Sequence, residues 1–223
     1  MPKHADPKLI NTINSFIRQQ KTTQKIARSS DFWSKKYSNI NHLDIISISN
    51  DIKTKLPKLR ALFIQASVTE NINWTLLAAL AYQESKWELD AVSPTNVRGL
   101  MQLTQSTADF LGVNDRTDPE ESINGAAKYI RALEKNFPVK VKRSDRIWLA
   151  VAAYNLGIGR IRQAYRQLHD EQSSEITWDD VANKLTTEST SFQNDQYSTG
   201  ARAVEYVERI REFQKILRYY PSE

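Results

Sequence analysis

The stretch Trp74 to Ser85, W-T-L-L-A-A-L-A-Y-Q-E-S, decides the fold class. Leu76, Leu80 and Glu84 recur every four residues, with Leu77 and Trp87 flanking them, so they share one face of a helix. Asn73 stands where an N-cap is needed, its side chain able to accept from an otherwise orphaned N–H. Almost no segment of the chain alternates at period two, only 6 of 223 residues are Gly, and apolar residues keep helical spacing along the chain. The chain is therefore read as all-α.

Outward from that helix the punctuation is clear. Pro57 opens a helix through Leu59, Leu62, Phe63 and Ala66, because proline's missing donor costs nothing in a first turn. Asp118-Pro119-Glu120-Glu121 combines N-cap, N1 proline and N3 glutamate, a capping box that predicts a helix from Pro119 to about Asn136. Ser144 or Asp145 starts another, through Ile147, Val151 and Tyr154; Gly157 and Gly159 mark its break before a helix from Arg160 to Leu168. The last helix spans about Ala201 to Arg218 and stops before Pro221. Upstream, Leu9, Ile13, Phe16 and Ile17 outline a leader helix, followed by a short helical run through Phe32 and Trp33. Tyr37 to Asn50 reads as the connection between a leader, 1–41, and a body, 42–223, whereas the polar stretch Asp170 to Asn194 takes no element from its pattern.

Composition closes several functional classes. With no Cys there is no disulfide framework, thiolate metal site, cysteine nucleophile or lipid-modified cysteine on this chain. His4, His42 and His169 are isolated from carboxylates at ligand spacing, so neither a metal nor a cofactor is expected. No apolar run reaches the roughly 18–20 residues of a membrane span, and the N-terminus lacks the apolar centre of a secretion signal. The chain is expected to be a soluble body or a piece of a longer precursor. The net charge of +5 suggests nucleic acid, but residues 1–60 hold 12 Lys/Arg and 4 Asp/Glu, leaving 19 against 22 for the rest. A +8 leader and a −3 body, without a basic cluster interleaved with aromatics in the body, argue against a nucleic-acid partner.

Glu84 is the acid that stands out. A carboxylate on an apolar stripe costs several kcal/mol unless it is paired or neutral. Either the stripe has ended and Glu84 sits at a solvated helix terminus, or it is a general acid whose pKa an apolar wall raises. Downstream come the compact strings R-G-L-M-Q-L-T, Arg98 to Thr104, and A-A-Y-N-L-G-I-G-R, Ala152 to Arg160. With Q-E-S at Gln83 to Ser85 these match, in order, three signatures of lytic transglycosylases. From about His42 to Tyr220 the chain resembles the catalytic domain of the membrane-bound lytic murein transglycosylase F family, most closely in A-Y-Q-E-S-x-W, S-P-T-x-V-R-G-L-M-Q-L-T, G-V-x-D-R-T-D-P-E and R-I-W-L-A-V-A-A-Y-N. Leu9 to Trp33 resembles the closing helices of the solute-binding module that precedes that domain, or else is a generic amphipathic hairpin.

The resemblance implies a lysozyme-like transglycosylase fold with a helical leader. It implies non-hydrolytic cleavage of the β-1,4 bond between N-acetylmuramic acid and N-acetylglucosamine in peptidoglycan glycan strands, giving 1,6-anhydro ends. Glu84 would act first as acid and then as base. Tyr154 matches a tyrosine that hydrogen-bonds near the acid, the alternative being a core tyrosine. Asn155 would offer its amide to sugar groups or cap a helix, and Ser93 would orient an N-acetyl group or serve the turn before Pro94. Gln102 would line the cleft, Gly99 permit a tight backbone approach, and Met101 form an apolar wall. Tyr206 matches a C-terminal tyrosine of the family, but Arg202 and Glu205 exchange the charges expected around it. That exchange either preserves the local geometry or alters the C-terminal wall of the cleft, over which Asp170 to Asn194 would form a lobe. Periplasmic location at the outer membrane is implied too, with any tether outside this chain. Two alternatives stay open: a hydrolytic muramidase, if Asp90 or Asp109 faces Glu84, and an idle wall-binding module.

Overall fold

Trp74 to Ser85 folds as a helix buried on nearly every side, so its pattern is that of a central helix rather than a one-faced surface helix. Asn73 Oδ1 accepts from the Thr75 N–H at 2.9 Å and from its hydroxyl at 2.7 Å. The other end is built under strain: Lys86 and Trp87 both take left-handed backbone conformations, φ +55° and +57°. Each costs roughly 1–2 kcal/mol for a residue with a Cβ. Two bonds offset it, Lys86 N–H to Tyr82 O at 3.0 Å and the Trp87 indole N–H to Ala78 O at 2.8 Å. Trp87 is thereby folded beneath the helix, 2% exposed, against the Tyr82 ring at 4.7 Å.

The structure is a computed structural model that describes residues 42–138, 141–171, 175–190 and 197–219. The leader, 1–41, lies outside the described residues. Within them are nine helices and no strand: α1 (His42–Thr54), α2 (Leu56–Glu70), α3 (Trp74–Ser85), α4 (Gln105–Leu111), α5 (Pro119–Glu134), α6 (Arg143–Leu156), α7 (Ile158–Glu171), α8 (Trp178–Thr190) and α9 (Tyr197–Tyr219). The long α9 packs along α3, α6 and α8; α5 packs against α2 and α6, and α7 against α6 and α8. One contiguous apolar core runs through them.

Two readings of the sequence are corrected. The supposed connection, Tyr37 to Asn50, contains most of α1, and Ile48 and Ile52 from that helix are 0% and 2% exposed. Full burial of such side chains contributes ~1.5–3 kcal/mol each, so α1 belongs to the core. Within the polar stretch Asp170 to Asn194, α8 packs Trp178, Val181, Ala182 and Leu185 into the core. Thr177 and Asp180 close a reciprocal cap at its start: the Thr177 N–H donates to Asp180 Oδ2 at 2.8 Å and the Asp180 N–H to Thr177 Oγ1 at 3.3 Å.

At α5 the expected Asp118 cap forms, accepting from the Glu121 N–H at 2.9 Å. Glu121 does not close the box; its carboxylate takes the N–H groups of Asn114 and Asp115 at 2.7 and 3.0 Å and so fixes the preceding loop. At the far end of α5 the buried Glu134 is met by Arg131 and lies 3.7 and 3.9 Å from Arg143 and Arg146. Arg131 and Arg143 also donate to the Asn71 carbonyl at the end of α2.

Candidate active site

Glu84 sits in the last turn of α3, where the strained Lys86–Trp87 turn fixes the helix end. Its side chain is half-buried, and the surrounding protein pushes its pKa up to about 7 by desolvation. The Tyr206 hydroxyl donates to Glu84 Oε1 and works in the opposite direction, favouring the ionised form. Burial is the larger influence, so the group holds a proton near neutrality. The surroundings of Glu84 are those of a desolvated carboxyl rather than of a solvated helix terminus.

Tyr206 is carried by α9, on the face that buries Val207, Ile210 and Phe213. One turn on, Arg209 Nε donates to Gln83 Oε1 at 3.0 Å, and its guanidinium is 3.4 Å from Asp44 Oδ2 of α1. Adjacent residues of α3, Gln83 and Glu84, are thus each tied to α9, which sets the register that puts the phenol on the carboxyl. Arg202 is exposed and Glu205 half-buried on the same helix, and their exchanged charges leave the Tyr206 to Glu84 contact in place.

Tyr154 approaches from α6. Its hydroxyl donates to the Met101 carbonyl at 2.7 Å rather than to Glu84. It nevertheless lies close enough to feel that acid, since burial first and then the Glu84 charge hold the Tyr154 phenol well above its usual pKa. Tyr206 is raised for the same two reasons. Sequence reasoning missed Tyr129 of α5, half-buried, whose ring lies 5.5 Å from that of Tyr154. Its hydroxyl takes no partner among the described residues. Its signal was its place at the edge of the stripe Ala126, Ile130 and Leu133 on α5.

The remaining expected residues divide. Gly99 has φ +94°, and a Cβ there would stand 2.2 Å from the Arg116 carbonyl oxygen, so the tight approach is to the protein's own backbone rather than to a ligand. Met101, expected as an apolar wall, is 0% exposed and has no surface to offer; its carbonyl anchors Tyr154 instead. Gln102, itself left-handed at φ +50°, donates through Nε2 to Gly99 O at 2.8 Å and Ala91 O at 3.2 Å, bracing the loop from inside. Ser93 is spent on turn chemistry, its hydroxyl accepting from the Val97 N–H at 3.0 Å and bonding to Thr95 Oγ1 at 3.0 Å. Asn155 is exposed on the last turn of α6, before Gly157. The fold therefore brings Glu84, Tyr206, Tyr154 and Tyr129 together, and makes Gly99, Met101 and Gln102 the frame behind them.

Other acids do not join this group. Glu88 is exposed and paired with Lys55 at 2.5 Å; Asp90 is exposed; Asp109 is exposed and accepts from Gln105 at 2.8 Å. Among the described residues only burial and the Tyr206 hydroxyl shift the Glu84 pKa, and no carboxylate contributes to it. Among the described residues no group of three His, Cys, Asp or Glu could hold a metal ion, and no helix is long and apolar enough to cross a membrane.

The transglycosylase SLT domain family matches residues 61–177. Three relatives, each described as a membrane-bound lytic murein transglycosylase F, illustrate the sequence likeness. That of Maricaulis maris is 41% identical, covering 83% of this chain and 41% of its own length. For Serratia proteamaculans the figures are 37%, 100% and 46%, and for Marinobacter nauticus 33%, 97% and 44%. The chain thus spans less than half the length of these relatives. In three dimensions it is similar to an X-ray structure of an inactive mutant of lytic transglycosylase Slt from Pseudomonas aeruginosa, with a TM-score of 0.52 and 19% identity over 95% of this chain and 38% of that one. That likeness is one of fold, all-α and lysozyme-like.

Proposed function

Because this chain belongs to the transglycosylase SLT domain family, we propose that it cleaves the β-1,4 bond between N-acetylmuramic acid and N-acetylglucosamine in peptidoglycan without consuming water. The observation that carries this reading is Glu84, a carboxyl with a pKa of about 7, touched by one phenol and, among the described residues, by no second acid. Glycosidases that hydrolyse set two carboxylates across the bond, one for the leaving oxygen and one for water or C1. A single glutamate suits a reaction in which the substrate supplies its own nucleophile.

Protonated Glu84 gives its proton to the glycosidic oxygen as the bond to C1 breaks. The muramoyl N-acetyl oxygen stabilises the charge developing at C1. Ionised Glu84 then removes the proton from the C6 hydroxyl, whose oxygen closes on C1 to form the 1,6-anhydro ring. The proton lost in the first step is regained in the second, so the enzyme returns to its starting state. Tyr206 supports the interval between them, because its hydroxyl bond favours the carboxylate. Tyr154 and Tyr129 supply aromatic surface beside the acid, Asn155 offers an amide at the end of α6, and Ser93 stands in the loop between α3 and α4.

Glycan strands of the wall are then the partner, and the chain works in the periplasm, at the inner face of the outer membrane. Glu84→Gln keeps the shape and removes the proton; it is expected to lower glycan cleavage by at least roughly 100-fold while leaving sacculus binding intact. Unchanged cleavage would remove Glu84 from the chemistry. A wild type that binds sacculi but never cuts them would make the chain a binding module.

A further inference from the structure

A groove of about 360 Å³ opens away from Glu84, between the turn after α5 and the outer face of α7. Asn136 and Phe137 form one side, and Arg162, Tyr165, Arg166 and His169 the other. Its floor is aromatic: the buried Tyr165 ring lies 6.2 Å from Phe137 and 6.2 Å from His169. Its rim is basic. Arg162 and Arg166 are four residues apart, hence on one face of α7, and both are exposed.

These two guanidiniums differ from five others in the body. Arg131, Arg143, Arg146, Arg209 and Arg211 each reach a carboxylate of the fold. Among the described residues Arg162 and Arg166 reach no acid, carbonyl or ring, and no carboxylate lines the groove. Residues 61–223 carry a net −3, so a groove whose described lining is basic is a local exception. Two planar cations over an aromatic floor suit a ligand that brings carboxylates together with apolar or amide surface.

Each wall of the groove follows in sequence from an element that carries one of the tyrosines of the site. Tyr129 of α5 stands beside Tyr154 of α6, and α5 runs ~8 Å further to its end at Glu134, three residues before Phe137. Helix α7 starts at Ile158, four residues after Tyr154, and His169 lies ~16 Å along it. That span matches an extended peptide of about four or five residues. We propose that the groove is a second binding site, which takes the carboxylates of a short acidic peptide, and that this ligand is a peptide stem borne by the glycan strand at Glu84. The assignment of the stem rests on the peptidoglycan reading above; the preference for an acidic peptide rests on the groove alone.

The test compares Glu84→Gln protein, which leaves strands uncut, with the same protein carrying Arg162→Gln and Arg166→Gln. Three probes are titrated: soluble glycan strands with their stems, the same strands stripped by an amidase, and the free stem tetrapeptide. The double substitution is expected to weaken stem-bearing strands and free tetrapeptide about tenfold or more, while stripped strands bind within about twofold of before. The paired Arg162→Lys and Arg166→Lys variant, which keeps charge but not the bidentate fork, is expected to fall between. Equal weakening of both kinds of strand, or weakening of neither, overturns the proposal. If the protein binds no strand at all, the peptidoglycan reading fails by itself, and the tetrapeptide titration still decides the groove: binding lost in the double variant upholds it, and no binding to the parent overturns it.

Discussion

A glutamate that keeps its proton near neutrality weakens the fold once it ionises, and this sets the pH behaviour expected of Glu84. Its ordinary pKa is 4.5 and the folded value about 7. Between these values the native state holds a proton that the unfolded chain has released, so stability falls as pH rises across that window and stays lower above it. The gap corresponds to ~3 kcal/mol. Glu84→Gln cannot ionise; in urea unfolding it should match wild type near pH 4 and exceed it by up to ~3 kcal/mol at pH 8. A constant difference between the two proteins at both pH values would mean an ordinary, solvated carboxyl. Tyr206 makes the opposite contribution. Tyr206→Phe removes a bond that favours the ionised form, so the alkaline limb of kcat/KM should move to higher pH than in wild type, together with a lower maximum rate. A limb that stays in place or moves down would separate Tyr206 from the titration of Glu84.

Among the helices, what the sequence disclosed depended on how local the cause was. The capped, strongly periodic α3 and α5 were legible because Asn73, Asp118 and Pro119 announce their starts. The core role of α1 was hidden because its isoleucines alternate with Ser, Asn and Asp, residues that favour caps and turns, and the run reads as a connector. α8 was hidden by its Thr and Asp content, although Trp178, Val181, Ala182 and Leu185 at helical spacing behind a T-x-x-D cap carried the signal. If α1 belongs to the core, Ile48→Ala should cost about 2–5 kcal/mol in chemical denaturation. A loss under about 0.5 kcal/mol, as at a surface position, would return α1 to the status of a connector. For the site, spacing singled out Glu84, but the partner that touches it lies 122 residues away. No periodicity encodes such a pairing; only resemblance pointed to Tyr206, and it did not foretell that Tyr154 would instead hold the Met101 carbonyl.

At the scale of the whole molecule, the site exists only when separate elements assemble: α3 brings the acid, α9 the phenol that touches it, and α5 and α6 the aromatic wall. The loop of Gly99, Met101 and Gln102 serves from behind. Among the described residues that assembly brings no second carboxylate onto Glu84, and the proposal that water takes no part in the reaction is the central claim. It is tested most directly by digesting sacculi in water enriched in heavy oxygen and weighing the muropeptides released. The account predicts fragments one water lighter than the hydrolysis products, with no heavy oxygen at the new muramoyl ends. Reducing ends labelled with heavy oxygen would contradict it and make the protein a hydrolase.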